Sequence, residues 1–155
     1  MKLGPEQSGF TSRLTRLALW PFRQKFTVGS LVHIESRTGE ILLVQQRLRR
    51  GSCWGLPGGF QCPGEDQQQT AIREVREETS LDVSQMITFV AHYQQPWAHH
   101  YDNLFRAQLT DKPAPKATLG SWLEIKDVRW FDPDALPGLT REAREALRRL
   151  PEIYS

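Results

Sequence analysis

The chain is expected to fold as a β-rich α/β domain. Three observations carry that expectation: short β-branched and apolar runs recur along it, a glycine turn joins two of them as a hairpin, and two segments have the apolar spacing of helices. With 155 residues, 39% of them hydrophobic, the chain can bury one core and leaves little room for a second domain.

Residues 11–20 read as a short amphipathic helix ended by Pro21. Arg13 and Arg16, with Arg23 and Lys25 beyond, interleave with Leu14, Leu17, Leu19 and Trp20. This basic segment, residues 1–25, is expected to dock on the main domain, residues 26–155, or on a twin subunit; an anionic membrane surface is the alternative. Homodimers are common among small enzymes, but nothing in the chain fixes an interface.

Strands are expected over 26–35 and 41–48, on either side of the Thr38-Gly39 turn. Pro57, Gly58, Gly59, Pro63 and Gly64 are turn chemistry, and glycine lets backbone carbonyls approach a metal or phosphate closely. A helix then starts with Asp66 as N-cap and Gln69 three residues on, a capping-box arrangement. Ala71, Ile72, Val75 and Thr79 give it an apolar side to bury. Strands are expected over 86–94, 101–109 and 124–131, with a proline-containing loop over 111–120. Residues 139–150 form the second long helix: Ala143, Ala146, Leu147 and Leu150 have helical spacing, and Pro151 ends it.

Composition excludes several classes. A net charge of +2 is too mild to argue for a nucleic-acid partner. No apolar run reaches the roughly 18 residues a bilayer span needs, and no signal-peptide core opens the chain. Cys53 and Cys62 make neither a disulfide framework nor a paired zinc pattern, so a reducing cytoplasm and packed thiols are expected.

The chemistry concentrates in the first long helix. Each helical turn takes about 3.6 residues, so Glu74, Glu77 and Glu78 fall on one narrow stripe. Like charges at this spacing destabilise a helix by about 0.2–0.5 kcal/mol per pair. A divalent cation on the stripe removes that cost, and hard oxygen ligands suggest Mg²⁺ or Mn²⁺. An ordinary solvated helix face is the bland alternative; the upstream Gly-Gly turn and Glu65 weigh against it.

These residues resemble the box of the Nudix hydrolases: glycine, five residues, glutamate, seven residues, then an arginine-glutamate helix carrying two further glutamates. Gly59, Glu65, Arg73, Glu74, Val75, Glu77, Glu78 and Leu81 meet the pattern. Ser80 departs from it, standing where the family has glycine, at a helix exit where a left-handed conformation is easiest without Cβ. The approach from Trp54 to Gly59 and the strands on both sides extend the likeness over most of residues 26–131.

The resemblance implies an α/β/α sandwich around a mixed sheet. It also implies a metal-dependent diphosphatase acting on a nucleoside diphosphate linked to another moiety. Glu74 and Glu78 would be metal ligands, Glu77 would share ligation or water activation, and the Gly59 carbonyl would be a further ligand. Glu65 would support them from outside the ligand set, and Arg73 would form an internal ion pair that orients a box glutamate. Arg76 keeps a surface role. The ions would act as Lewis acids and make hydroxide available near neutral pH. A general base from outside the box is expected, with Glu124 and Asp102 as the options. A Nudix-fold sensor that binds without cleaving is the other class, disfavoured by the intact acidic set.

For the substrate, the resemblance makes ADP-ribose the leading single reading, because Pro96 lies about where ADP-ribose-cleaving members carry proline. A strand-ending proline is the cheaper explanation. The array that marks NADH-cleaving members is broken at Ala98-His99-His100. Nucleoside triphosphates, dinucleoside polyphosphates and 5′-capped RNA are the runners-up. Trp54, Trp97 or Tyr93 would stack on a base, with core packing as their commoner fate. Arg47, Arg49 and Arg50 would clamp phosphates unless they are solvated loop residues. At most one of His99 and His100 faces a cleft.

Overall fold

The computed structural model describes residues 25–47, 53–113, 115 and 123–150. The amphipathic segment before Lys25, Arg49 and Arg50, and most of the 111–120 loop lie outside the described residues. Seven strands form one sheet: β1 (Thr27–Glu35), β2 (Ile41–Gln46), β3 (Trp54–Gly55), β4 (Gly58–Phe60), β5 (Ile87–Gln94), β6 (His100–Gln108) and β7 (Ile125–Phe131). Among the described residues two α-helices, α1 (Gln67–Thr79) and α2 (Arg141–Arg149), complete the frame. The order is β3-β2-β1-β6-β5, with β4 beside β1 and β7 beside β2. Strand β1 runs parallel to β6 and antiparallel to β2 and β4, so the sheet is mixed.

Successive strand residues point to opposite faces, and β2 uses both. Leu42 packs with Val32, Ile34 and Phe105 against Ala71 and Val75 of α1, whereas Ile41 and Leu43 pack with Leu104 against Ala143 and Ala146 of α2. Burial on both faces explains why β2 reads as a continuous apolar run rather than an alternating one. Each such aliphatic side chain contributes about 1.5–3 kcal/mol by leaving water. The result is the α/β/α sandwich expected for the chain.

The expected capping box is present. The Gln69 N–H donates to Asp66 Oδ1 at 2.7 Å, and the Asp66 N–H donates to Gln69 Oε1 at 2.9 Å. The helix exit answers the question raised by Ser80: it adopts the left-handed conformation, φ 61°, that glycine would take, and its N–H donates to the Arg76 carbonyl at 3.0 Å.

Two elements differ from expectation. Gly58 and Gly59, read as turn chemistry, open the short strand β4, and Trp54–Gly55, for which no strand was expected, forms β3. Glycine gives them little strand propensity of its own; they pair because β1 and β2 offer partners. The Val32 N–H donates to the Pro57 carbonyl at 2.9 Å and the Gln61 N–H to the Val28 carbonyl at 3.0 Å, which brackets β4 against β1. Cys62 is exposed rather than packed, while Cys53 is half-buried.

A left-handed residue with a Cβ costs about 1–2 kcal/mol, partly offset by the extra chain entropy of glycine when unfolded. Ser80→Gly is therefore expected to stabilise the fold by about 0.5–1 kcal/mol in urea denaturation, and a loss of stability would contradict this reading of the helix exit.

Candidate active site

Strand β4 lies so close to β1 at Gly58 and to the Glu74 carboxylate of α1 at Gly59 that neither position has room for a side chain unless its neighbour moves. A Cβ on Gly59 would strike the Glu74 carboxylate, with Cδ at 2.6 Å and Oε2 at 2.9 Å, and one on Gly58 would strike the Ser30 carbonyl and lie 2.9 Å from Leu31 Cα. Freed of side chains, the β4 backbone serves the helix directly. The Gly58 N–H donates to Glu78 Oε2 at 2.9 Å, and the Phe60 carbonyl accepts from an Arg73 terminal nitrogen at 3.1 Å.

Arg73 is the centre of the ionic network. Its Nε donates to Glu65 Oε1 at 2.6 Å, and its terminal nitrogens reach Glu65 Oε2 at 3.1 Å, Glu74 Oε1 at 2.8 Å and Glu77 Oε2 at 3.4 Å. The Thr70 hydroxyl and the Cys62 N–H also donate to Glu65 Oε2, at 3.0 and 3.1 Å. These bonds, the Arg73 guanidinium foremost, hold the Glu65 carboxyl down to about 2, and Glu65 in turn pushes the Arg73 pKa up. Arg73 thus links Glu65, on the loop before α1, to two box glutamates. Arg76 pairs with Asp82 at 3.2 Å on the surface, as expected.

The three box glutamates share one edge of α1 at different depths. The Glu77 side chain is 51% exposed and that of Glu74 15%, while Glu78 is buried. Burial pushes the Glu78 carboxyl up to about 8, and the charges of Glu74, Glu124 and Glu77 push it the same way. Glu74 is raised too, by burial above all, against the pull of Arg73. An edge of hard oxygen donors, two of them withdrawn from water and made harder to ionise by one another, fits a divalent cation. Among the described residues no three or more acidic, histidine or cysteine side chains are grouped so that they could hold a metal ion as they stand.

Outside the box, Glu124 lies close enough for its charge to raise both Glu74 and Glu78. Asp102, the other option for a base, is buried on β6 and hydrogen-bonded to Gln95 and His100, at 2.6 and 2.9 Å. The Arg47 N–H donates to the Glu124 carbonyl at 2.6 Å and its guanidinium to the Ile125 carbonyl at 3.5 Å, which sets Arg47 beside Glu124. Trp97 is 38% exposed, with the Arg141 guanidinium 5.2 Å from its ring centroid. Trp54 lies buried in the α2 core, edge-on to Phe131 at 4.7 Å, with the Arg129 guanidinium 5.8 Å from its ring centroid. Tyr93 is likewise buried in that core, with the Arg149 guanidinium over its ring at 4.2 Å. Sequence reasoning missed the Gly58 N–H and the Thr70 hydroxyl; a backbone donor carries no residue signal.

A family model described as NUDIX domain matches residues 25–150. The chain is 30% identical over 112 residues to a protein named putative 8-oxo-dGTP diphosphatase from Bacillus subtilis, covering 72% of this chain and 70% of that one. It is 34% identical over 119 residues to the NAD-capped RNA hydrolase NudC of Pectobacterium carotovorum, covering 75% of this chain but only 42% of that one, so it spans less than half of that relative's length. The NUDIX domain of Shewanella oneidensis NrtR, solved as a cocrystal with ADP ribose, superposes with a TM-score of 0.72 at 19% identity, covering 92% of this chain and 98% of that one, a likeness of fold.

Two predictions test the site. A carboxyl raised from 4.5 to about 8 on folding binds its proton more tightly in the native state, so its contribution to stability is full below about pH 4.5 and is lost as pH rises towards 8. The melting temperature of chelator-treated protein is expected to fall across that window, and Mn²⁺ or the substitution Glu78→Gln to flatten the fall; a flat wild-type profile would contradict the assignment. Gly59→Ala puts a methyl group where the Glu74 carboxylate lies, and is expected to weaken Mn²⁺ binding about 10–100-fold, read by electron paramagnetic resonance, with little change in melting temperature.

Proposed function

The chain belongs to the Nudix hydrolase family, pyrophosphohydrolases that act on phosphorus-containing anhydrides, and from that premise we propose that it cleaves the diphosphate linkage of a nucleoside diphosphate joined to another moiety, with Mg²⁺ or Mn²⁺ as cofactor. The observation that carries the proposal is the buried Glu78, held by the Gly58 N–H, with Glu74 and Glu124 acting on it.

Glu78 and Glu74 would hold the cation, with the Gly59 carbonyl as a further ligand, and Glu77, the most exposed of the three, would share ligation or water activation. When bound, the cation supplies Lewis acidity at a phosphoryl oxygen and makes hydroxide available near neutral pH. Arg73 keeps the Glu74 and Glu77 carboxylates in place, and Glu65 keeps Arg73 in place. Glu124 takes the proton from the attacking water. Arg47, beside Glu124, offers a guanidinium to a phosphate oxygen, and Trp97 offers a ring that a base can stack on.

The identity of the second moiety is drawn more coarsely. ADP-ribose follows from the position of Pro96, which stands in the exposed turn after β5 next to Trp97. The relatives are named for an oxidised guanine nucleotide and for NAD-capped RNA, and what these compounds share with ADP-ribose is a nucleoside phosphate in anhydride linkage to a leaving group.

Incubation with a panel of such compounds and Mg²⁺ or Mn²⁺, with products resolved by chromatography, tests the reading. Glu78→Gln keeps an acceptor for the Gly58 N–H and removes the charge. It is expected to lower turnover at least about 100-fold, the upper end of what losing an outer partner of a bound metal costs, with the fold intact by circular dichroism. Wild-type rates in that variant would refute the assignment.

A further inference from the structure

Two strands of the sheet have an open side, and they are guarded differently. Among the described residues β5 pairs with β6 alone and β7 with β2 alone, so each has one side with no strand beside it. Natural sheets guard such edges with charged side chains, proline or short length. Strand β7 carries Lys126, Asp127 and Arg129. Strand β5, eight residues reading Ile-Thr-Phe-Val-Ala-His-Tyr-Gln, has no aspartate, glutamate, lysine, arginine or proline; a bulge between Phe89 and Ala91 interrupts it.

The face beside the β5 edge is uncovered as well. Tyr101, Asn103 and Phe105 alternate onto the α1 side of β6, and the register sets Phe89 opposite Phe105, His92 opposite Asn103 and Gln94 opposite Tyr101. Phe105 is buried in the core under α1, yet Phe89, edge-on to it at 5.6 Å, is 58% exposed. Further along, the His92 ring stacks on Tyr101 at 5.0 Å, and Phe26, 42% exposed, leans on Tyr101 at 5.4 Å. An open strand and an aromatic face thus lie side by side, the composition of an interaction surface.

The occupant that fits this surface is a second copy of the chain. A two-fold axis perpendicular to the sheet lays β5 antiparallel to its copy, so outward N–H groups meet outward carbonyls. The same axis keeps both α1-side faces on one side, which brings Phe89 up to its copy. Like charges facing each other across a strand pair are destabilising; β5 has none to repel its copy and none to select a charged partner. The pairing uses up the edge and closes at two chains. The bulge breaks the edge into residues 87–89 and 91–94, which holds the contact below the roughly 800 Å² per partner of an ordinary interface. Association is therefore weak and reversible.

We propose that β5 is the edge of a homodimer, in which two chains pair through it about a two-fold axis, with Phe89 packed on its copy, in a micromolar equilibrium. The inference stands apart from the diphosphatase reading, since it uses neither the acidic edge of α1 nor a bound nucleotide.

Sedimentation equilibrium of the full chain over about 1–100 μM, the range in which such an equilibrium shifts, is expected to give an average mass that climbs from one chain towards two. Phe89→Glu sets like charges near the axis without opening the core, and is expected to weaken association at least about tenfold with the circular dichroism unchanged. Thr88→Lys, exposed on the opposite face of the same strand, is expected to act likewise, and Lys126→Ala on the guarded edge to change nothing. The mass of one chain throughout the range would overturn the proposal; a lowered melting temperature of Phe89→Glu in that case would give the face to another part of the same chain. A dimer that both β5 variants leave intact would overturn it too, by placing the interface elsewhere, and so would growth beyond two chains. Should Phe89→Glu fail to fold, Thr88→Lys decides. A protein that dimerises through β5 and hydrolyses nothing on the nucleotide panel would leave this interface standing and refute the diphosphatase reading.

Discussion

The close approach of β4 to the acidic edge of α1 is the constraint on which the rest depends. Gly58, with no Cβ, lets the strand sit against β1, and Gly59, with none, lets its backbone lie against the Glu74 carboxylate. One N–H from that backbone holds Glu78, one carbonyl holds Arg73, and the Glu74 carboxylate fills the space a Cβ would take. The pairing of β4 with β1 fixes the strand, and the packing of Ala71 and Val75 against Val32 and Ile34 fixes the helix. The hydrophobic core therefore sets the position of the polar site to within a hydrogen bond, as a preorganised site requires.

Electrostatically the edge is divided in two. Glu65, ringed by donors from Arg73, Thr70 and Cys62, is driven towards the charged state, whereas Glu78 and Glu74, buried and next to other acids, are driven away from it. The first arrangement anchors the loop to the helix and stabilises the fold. The second costs stability in the absence of a counter-charge, and costs of this kind concentrate at functional sites. Arg73 stands between the two and offsets part of the cost at Glu74.

Much of this was legible in the chain because it rests on local rules. The Asp66 cap with its Gln69 partner, the i, i+3, i+4 spacing of the glutamates, the hairpin glycine and the apolar spacing of α2 each depend on neighbours a few residues away, and each appears in the structure. What escaped depends on distant partners. Strands β3 and β4 have poor strand composition and exist because β1 and β2 offer edges. Trp54 reads as an aromatic near the box, yet the alternation of β3 turns it into the α2 core. Gln95, His100 and Asp102 have no motif spacing; a turn between β5 and β6 and the start of β1 bring them together with Thr27. His33 sits on β1 between two core residues, and burial there holds its imidazole down to about 4, which no local pattern announces.

The central claim is that Glu74 and Glu78, set against the β4 backbone, form a seat for a divalent cation. Anomalous diffraction from crystals soaked in Mn²⁺ tests it most directly. The account predicts a single strong anomalous peak within ligating distance, about 2.0–2.3 Å, of oxygens from both carboxylates. A strong peak elsewhere, with Glu78 still bonded to the Gly58 N–H and Glu74 still bonded to Arg73, would contradict it.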